Sequence, residues 1–225
     1  MIVVTGASKG LGHAIATHLD EIGEEVIGLS RTKGELGIKF IECDVGNYQS
    51  VKNAAKEIKK MKKPLKAVIN AAGIASMNMA VTTDNSTVLK LIQTNLIGTI
   101  NSCQLFAPIM LRIKRGSFIN FSTIAVHLAL KGESVYAASK AGVETFSRTF
   151  AREMADFNVR VNCIAPGPIK TDLLRGISDS QIKNITDQQV IPKLFNKSDI
   201  CNLVDLLLDE RSSSLSGQIL NVGGV

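Results

Sequence analysis

A glycine-rich turn near the start of the chain constrains the fold more than any other feature of the sequence. The turn follows the apolar segment Ile2–Thr5 and opens a helical pattern over about 10–22. Its glycines permit a tight turn and a close approach of backbone N–H groups to a pyrophosphate, which the positive end of a helix dipole also favours. Because no Gly-Lys-Ser/Thr follows, the turn departs from the P-loop pattern. We therefore predict a dinucleotide site, rather than a purely structural turn, at Gly6, Ser8, Lys9, Gly10, Leu11 and Gly12.

Short β-rich runs alternate with helical patterns along the chain, and most of these runs are continuously apolar. This is typical of a parallel sheet buried on both faces. We predict an α/β fold, a doubly wound parallel sheet with helices on both faces, formed by residues 1–225 as a single domain. Strands are expected at Ile2–Thr5, Val26–Leu29, Lys39–Cys43, Ala67–Asn70, Ser117–Ser122, Arg160–Ile164 and Gln218–Val222. Helices are expected near 10–22, 48–62, 86–113, 134–156 and 198–209.

Two segments break this alternation. Only residues 30–38 separate the second and third strands, although a parallel crossover normally needs about a dozen residues and usually a helix. A short or irregular crossover is expected there. Residues 168–197 are polar and mixed, with Pro168, Gly176 and Pro192, and are expected to form a lid or binding loop.

The composition argues against several classes of protein. No apolar run approaches the roughly 20 residues that cross a bilayer, and we expect neither a membrane span nor a secretory signal. The four cysteines form no CxxC pair and the three histidines show no metal spacing. We therefore expect no disulfide framework, no metal site and a cytoplasmic location.

The net charge of +6, from 26 Lys and Arg against 20 Asp and Glu, permits an acidic partner without requiring one. Much of the excess lies in six lysines between Lys56 and Lys66. A solvated helix end is the simpler interpretation, because cations are favoured near the negative end of a helix dipole; a docking patch for an acidic partner is the alternative. No aromatic residues lie among these lysines, so no nucleic-acid partner is expected.

Ser30 and Arg31 bear on the choice of dinucleotide. NAD sites carry an acidic residue at the end of the second strand, where its carboxylate bonds the ribose 2′-hydroxyl. This chain has Ser30 there, followed by Arg31, and Lys9 lies in the glycine turn. A guanidinium binds a 2′-phosphate through two charge-assisted hydrogen bonds, whereas a carboxylate would repel it. The sequence favours NADP(H) over NAD, the alternative being two solvated surface cations.

Tyr136 and Lys140 are four residues apart at the start of a helical pattern, which places both side chains on one helical face. A free tyrosine has a pKa near 10, about three units too high for a good acid or base at neutral pH. A nearby ammonium and a cofactor charge are expected to lower that pKa, through about 4 kcal/mol of differential stabilisation. Such a pair is common by itself, so its meaning depends on the accompanying motifs.

Those motifs occur in the order found in short-chain dehydrogenase/reductases: the glycine turn, Asn70-Ala71-Ala72-Gly73, Asn95, Tyr136-x-x-x-Lys140 and Pro166-Gly167. From Thr5 to about Gly224 the chain resembles this family, and within it the compact single-domain branch and the 3-oxoacyl-carrier-protein reductases. The resemblance implies a Rossmann-type architecture and hydride transfer between NADP(H) and a carbonyl or secondary alcohol. It also implies a homotetramer or homodimer, with the helices around 86–113 and 134–156 pairing between subunits.

The resemblance implies roles for individual residues. Tyr136 would give or take the hydroxyl proton, and Lys140 would lower the pKa of that tyrosine and hold the nicotinamide ribose. Asn95 would shape a helix and anchor a water in the proton relay, and Asp44 would bond the adenine amino group. The other residues implied in cofactor binding are Val45, Asn70, Ala71, Gly73, Pro166, Gly167, Ile169 and Thr171.

One position departs from the family pattern beside the reacting group. The family places a serine 13 residues before the tyrosine, where this chain has Thr123. Thr123 keeps the hydroxyl that would hydrogen-bond the substrate carbonyl, but its methyl group crowds the pocket. Ser122 is the alternative, although adjacent strand residues point to opposite faces. His127 is a further candidate for the substrate pocket.

The predicted function is a carbonyl reductase, reversible as an alcohol dehydrogenase. A 3-oxoacyl thioester is the leading substrate, with an acyl carrier protein as candidate partner, and a sugar or another small ketone is the alternative. An NADP-binding regulator or scaffold with little turnover is the alternative function, because Thr123 and the short crossover depart from the expected pattern.

Overall fold

A parallel sheet forms the centre of the computed structural model, which describes residues 1–35, 37–170 and 178–225. The described residues contribute seven strands in the order β3-β2-β1-β4-β5-β6-β7, which confirms the predicted doubly wound sheet. The strands are β1 (Ile2–Thr5), β2 (Val26–Ser30), β3 (Lys39–Glu42), β4 (Ala67–Asn70), β5 (Gly116–Phe121), β6 (Val159–Pro166) and β7 (Ile219–Val222).

Helices cover both faces of this sheet. They are α1 (Gly10–Glu21), α2 (Tyr48–Lys60), α3 (Asn85–Leu91), α4 (Gly98–Leu111), α5 (Ala125–Leu128), α6 (Ser134–Met154), α7 (Asp179–Thr186) and α8 (Lys197–Leu208). Apolar side chains of α2, α4 and α6 form one core with the sheet, and those of α1 and α8 form the other. Strand alternation separates the two cores: in β1, Val3 faces the first, whereas Ile2 and Val4 face the second. None of the helices in the described ranges has the length and apolar character to cross a bilayer.

The helix predicted over 86–113 is interrupted. A π-helical turn, Ile92–Ile97, lies between α3 and α4. Turns of this kind are rare and occur frequently at functional sites. Asn95 lies within the turn and is fully buried. Hydrophobic periodicity predicted a helix here, but it does not distinguish an α turn from a single π turn.

The expected short crossover joins β2 to β3. No helix is described between Ser30 and Lys39, with Leu36 lying outside the described residues. Gly34 adopts a φ of +64°, and a methyl group on it would lie 2.6 Å from the carbonyl oxygen of Ser8. The crossover therefore folds back onto the glycine turn, and this close approach requires glycine.

Residues 168–197 contain a helix that the sequence interpretation missed. The Ser178 hydroxyl accepts from the backbone N–H of Gln181, and the Gln181 side chain accepts from the N–H of Ser178. This capping box starts α7, and its Ser-x-x-Gln spacing is visible in the sequence. Residues 171–177, in the first third of the predicted lid, lie outside the described residues.

Candidate active site

The predicted site residues follow the carboxyl ends of the strands, which meet at one edge of the sheet. In a doubly wound sheet, ligands bind at this edge where the strand order reverses, here between β1 and β4. The glycine turn follows β1, Ser30 ends β2 and Asn70 ends β4. Thr123 follows β5 by two residues, and Pro166 ends β6. The fold thus brings five separate segments to one edge.

The glycine turn leaves room for a phosphate at the start of α1. A methyl group on Gly6 would lie 2.7 Å from Ala72 Cα, and one on Gly12 would lie 2.5 Å from the carbonyl oxygen of Gly6. Both positions therefore require glycine, and Gly6 and Gly10 also have φ near +70° and +66°. Lys9 caps α1 without a side-chain hydrogen bond, so the first N–H groups of α1 can serve an anion. This cradle fits the pyrophosphate of a dinucleotide.

The residues expected around the adenosine end are mostly exposed. Lys9 and Arg31 are exposed, and within the described ranges neither is paired with a carboxylate. The Ser30 hydroxyl donates to the carbonyl oxygen of Thr32 at 2.7 Å, so its own proton serves the crossover. The exposed carboxylate of Asp44 accepts from the Gly46 N–H at 2.9 Å through one oxygen.

Val45 and Asn70 are tied into the structure beneath this edge. The Val45 carbonyl accepts from Asn101 Nδ2 at 3.0 Å. The side chain of Asn70 is buried and donates to Asn120 Oδ1 on β5 at 2.8 Å. Asn120 in turn donates to Ser147 Oγ on α6, also at 2.8 Å. The Asn70 side chain therefore bridges β4, β5 and α6.

The backbone after Asn70 lies against the glycine turn and the reacting groups. The N–H of Ala72 donates to Thr5 Oγ1 at 3.1 Å. A methyl group on Gly73 would lie 3.3 Å from Asn95 Oδ1 and 3.4 Å from Lys140 Nζ. Gly73 therefore lies where the dinucleotide half of the sheet meets the reacting groups. Ala71, which follows Asn70 in the same segment, is half-buried.

Asn95 is held at this meeting point by three hydrogen bonds. Its side chain accepts from the N–H of Ile74 at 2.9 Å and donates to the Ile74 carbonyl at 2.9 Å. It also donates to Ser139 Oγ at 3.0 Å, and Ser139 donates to the Tyr136 carbonyl at 2.6 Å. Asn95 thus connects the π turn, the segment after β4 and the helix that carries Tyr136 and Lys140.

Tyr136 and Lys140 both lie on the first turns of α6, and the Tyr136 hydroxyl faces Thr123. Burial raises the pKa of Tyr136 to about 12; Glu133 adds to the rise, and a hydrogen bond with the Thr123 hydroxyl opposes it. Burial lowers the pKa of Lys140 to about 8, and its ammonium donates to the Phe121 carbonyl at 2.9 Å. The polypeptide therefore does not by itself make the phenol acidic, and the expected lowering of the pKa of Tyr136 also requires the charge of the cofactor.

Ser122 and His127, the other candidates near Thr123, face Glu144. Ser122 Oγ donates to Glu144 Oε1 at 2.6 Å, and His127 Nε2 lies 3.5 Å from the same oxygen. The Glu144 side chain is 4% exposed. Sequence reasoning missed Glu144, although it follows Lys140 by one helical turn and so shares its face.

The segment after β6 is fixed by backbone contacts. The N–H of Gly167 donates to the Val222 carbonyl at 3.0 Å, and Ile169 pairs with Phe195 in an isolated parallel bridge. Pro166 and Ile169 are buried. Leu11, on α1, is half-buried against the core rather than displayed at the edge. Thr171 lies outside the described residues.

Two features away from this edge bear on other expectations. In the described part of the chain, no group of three or more His, Cys, Asp and Glu side chains is arranged to hold a metal ion. In the lysine-rich segment, Lys63 pairs with Glu25 at 2.7 Å and Lys66 pairs with Glu24 at 2.8 Å. These exposed pairs join the end of the segment to the loop before β2, and they reduce its free positive charge.

Known proteins resemble this chain over almost its whole length. A family model described as enoyl-(acyl carrier protein) reductase matches residues 6–224. The 3-oxoacyl-[acyl-carrier-protein] reductase FabG of Staphylococcus epidermidis is 31% identical over 235 residues, covering 99% of this chain and 96% of the relative. The 3-oxoacyl-[acyl-carrier-protein] reductase of Bos taurus is 32% identical over 231 residues, covering 98% and 95%.

A solved structure agrees with these sequence matches. The ligand-free aldohexose dehydrogenase of Thermoplasma acidophilum superimposes with a TM-score of 0.90 at 28% identity, covering 99% of this chain and 92% of that one. The motifs, the sheet order and these matches lead to one conclusion. The chain belongs to the short-chain dehydrogenase/reductase family, whose members are oxidoreductases that use a nicotinamide cofactor.

Proposed function

We propose that this protein is an NADP(H)-dependent carbonyl reductase, with Tyr136 as its acid and base. The observation that carries the proposal is that Asn95 and Lys140 meet at Gly73, while Tyr136, one helical turn before Lys140, lies against the Thr123 hydroxyl. A protein that only bound the dinucleotide would have no need of a buried lysine and a phenol facing a second hydroxyl. The regulator with little turnover is therefore the weaker alternative.

The bound nicotinamide would supply or accept the hydride, and the protein would supply orientation and the proton. Thr123 Oγ1 holds the carbonyl oxygen of the substrate, and the Tyr136 hydroxyl gives that oxygen its proton during reduction. In the oxidative direction the phenol takes the proton back. Lys140 would hold the nicotinamide ribose, and the hydrogen bonds of Asn95 fix the segment after β4 against α6. Ile169 would hold the carboxamide; Thr171, expected to share this role, lies outside the described residues.

The electrostatics of the buried pair support a division of labour between protein and cofactor. Burial raises the pKa of Tyr136 to about 12 and lowers that of Lys140 to about 8. The phenol therefore keeps its proton in the protein alone, which suits the reductive direction. The positive charge of an oxidised nicotinamide favours the phenolate, because an opposite charge nearby lowers the pKa of an acid.

The choice of NADP(H) rests on the cations at the end of β2. Arg31 is exposed directly after this strand, and Lys9 is exposed in the glycine turn. We expect Arg31→Ala to lower kcat/KM for NADPH by about tenfold to hundredfold, the worth of hydrogen bonds to a charged group, and to leave that for NADH within about twofold. Lys33 is another exposed cation of the same crossover, so Lys33→Ala is the matched control. It should change kcat/KM for neither NADPH nor NADH. An unchanged preference in Arg31→Ala would remove the support for NADP(H).

The proposed substrate class is supported by the names of the relatives, and a substrate panel would test it. Two of the relatives are 3-oxoacyl-[acyl-carrier-protein] reductases, and one structural neighbour is an aldohexose dehydrogenase. A 3-oxoacyl thioester is the leading substrate, and Arg112, Lys114 and Arg115, all exposed just after α4, are candidates to meet an acidic carrier protein. NADPH oxidation should be followed with 3-oxoacyl thioesters and simple ketones, and NADP+ reduction should be followed with aldohexoses. Binding of NADPH without turnover on any of them would favour the regulator.

A homotetramer or homodimer in the cytoplasm completes the proposal. Exposed apolar side chains, such as Leu89 on α3 at 60% exposure, are available on the helices expected to pair. The four cysteines are buried free thiols, which suits a reducing compartment. Light scattering after size exclusion should give a mass of two or four chains, and a mass of 24.1 kDa would contradict the assembly.

A further inference from the structure

Glu144 carries a carboxylate into the protein interior beside the proposed reacting groups. Its side chain is 4% exposed, and a buried charge is costly unless it is paired and hydrogen-bonded. None of the roles assigned above uses it. A buried carboxylate in this place therefore needs its own explanation.

Three side chains surround this carboxylate. Ser122 Oγ donates to Oε1 at 2.6 Å, the short distance typical of a hydroxyl bonded to an ionised oxygen. His127 Nε2 lies 3.5 Å from the same oxygen, and the Arg148 guanidinium lies 3.5 Å from Oε2. Ser122 follows β5, His127 belongs to α5, and Arg148 lies one turn further along α6.

Two of these partners lie on either side of Thr123. Ser122 immediately precedes Thr123, and His127 follows it by one turn on α5. Ser122 is hydrogen-bonded to one oxygen of the carboxylate and His127 contacts the same oxygen at 3.5 Å, and that carboxylate belongs to the helix that carries Tyr136 and Lys140. The two hydroxyls that would share the substrate oxygen, those of Thr123 and Tyr136, therefore lie on segments that Glu144 joins.

We propose that Glu144 is a positioning residue, which sets the separation of the Thr123 and Tyr136 hydroxyls by anchoring Ser122 and His127 to α6. The proposal rests on the proposed function, because it is the reduction of a carbonyl that requires both hydroxyls at one oxygen. It gives Ser122 a role that does not involve touching the substrate. It also places His127 on the outer side of the anchor, where its side chain is 33% exposed.

The first test is the kinetics of Glu144→Gln with an active ketone or thioester. This variant keeps the shape of the side chain and removes its charge. We expect kcat to fall by about tenfold to hundredfold, the loss that a misplacement of about 1 Å can produce, with KM for NADPH within about twofold of the wild type. Glu153→Gln, an exposed glutamate of the same helix, is the matched control and should leave kcat unchanged.

The second test asks whether the effect passes through Thr123. Thr123→Val removes the hydroxyl and nearly keeps the volume of the side chain. If Glu144 acts by placing that hydroxyl, Glu144→Gln should lower kcat in the wild type but by less than about twofold in the Thr123→Val background, because interacting sites are not additive. Equal losses in both backgrounds would show a general structural role and would overturn the proposal.

Hydrogen–deuterium exchange separates this proposal from the proposed function, because it needs no turnover. Amides of residues 122–128 should exchange faster in Glu144→Gln than in the wild type, while those of α2 should be unchanged. Ser122→Ala, which loses only one hydroxyl, should show a smaller fall in kcat and a smaller increase in exchange. It replaces Glu144→Gln as the test if that variant does not fold. If the wild type reduces no substrate, only the proposed function is refuted. If a folded Glu144→Gln shows unchanged exchange and unchanged kcat, the positioning role of Glu144 is refuted.

Discussion

The two halves of the sheet form their parts of the site in different ways, one through backbone geometry and the other through buried side chains. At the dinucleotide half, the turn after β1 is shaped by backbone: Gly6 and Gly12 have no space for a Cβ, and the charged side chains of Lys9 and Arg31 are exposed. At the reacting half, the shape comes from buried side chains. Counted over the whole residue, Asn95, Glu144 and Lys140 are 0%, 3% and 6% exposed.

This difference explains what a single sequence can disclose. A turn built from backbone is encoded by glycines a few residues apart, so its sequence pattern specifies its geometry. A cluster of buried side chains depends on partners that are distant along the chain. Ser122 and Glu144 are 22 residues apart, and Asn95 and Ser139 are 44 apart. The predictions below separate these two kinds of construction.

The largest expected effect is the loss of the phenol. Tyr136→Phe should lower kcat by about a hundredfold to ten-thousandfold, the usual contribution of a positioned acid or base, because no other group would give the substrate oxygen its proton. NADPH binding, followed by fluorescence titration, should stay within about threefold. The chain has two tyrosines, and the exposed Tyr48 supplies the matched control. Tyr48→Phe should have wild-type kcat, and equal activity in both variants would refute the role of Tyr136.

Replacing the buried lysine should separate stability from activity. Burial lowers the pKa of Lys140 from 10.5 to about 8, which corresponds to a penalty of up to about 3 kcal/mol at neutral pH. Lys140→Met should therefore be inactive yet more stable than the wild type at pH 7, by about 1–3 kcal/mol in urea unfolding.

The pH dependence of this stability gain fixes its cause. Between about pH 8 and 10 the unfolded chain binds the Lys140 proton and the folded protein does not, so the wild type should gain stability as the pH rises. Lys140→Met lacks this gain, and the difference between the two proteins should shrink over that range. A constant difference would mean that packing, rather than the buried charge, is responsible.

At the dinucleotide half, a single methyl group should be sufficient to impair binding. A Cβ on Gly12 would lie 2.5 Å from the Gly6 carbonyl oxygen, which is backbone and must shift. Gly12→Ala should weaken NADPH binding by about fivefold to a hundredfold, the range expected for overpacking of 1–3 kcal/mol. Gly37→Ala is the control, because no atom lies within 4 Å of its Cβ position. Equal binding by the two variants would contradict the backbone construction of the turn.

The smallest expected effect concerns the methyl group of Thr123. Thr123→Ser keeps the hydroxyl, removes a methyl group and restores the residue of the family pattern. We expect kcat/KM for bulky ketones to rise by about twofold to fivefold, because removing the methyl group leaves more room beside the carbonyl oxygen. NADPH affinity should stay the same. A fall in kcat/KM for every substrate would show that this pocket needs the methyl group to hold the hydroxyl in place.

The contacts that sequence reasoning did not anticipate have one property in common. Ser30 uses its hydroxyl proton on Thr32, and Asn70 directs its side chain to Asn120. Neither partner can be predicted from a motif. The first depends on the conformation of the crossover, and the second depends on which strand lies beside β4. Lys140 shows the same limit: its position was predicted from Tyr-x-x-x-Lys, but its bond to the Phe121 carbonyl and its effect on Tyr136 required the fold.

The fold itself was predictable because its signals are local. Apolar runs of four to six residues alternate with helical patterns, and parallel order follows from that alternation. The π turn at Asn95 and the capping box of α7 were missed for different reasons. The first leaves no mark in hydrophobic periodicity, whereas the second was visible in Ser178 and Gln181 and was overlooked in a segment of weak pattern.

Ultraviolet titration of Tyr136 tests most directly the claim that protein and cofactor together prepare this phenol for proton transfer. In Tyr48→Phe, Tyr136 is the sole tyrosine of a chain without tryptophan, so phenolate absorbance reports it alone. For the protein by itself we predict at most about a tenth of the full phenolate absorbance at pH 11, in keeping with a pKa of about 12, and we predict a pKa lowered by at least about three units with saturating NADP+. A phenol that titrates above pH 11 with NADP+ bound would contradict the account.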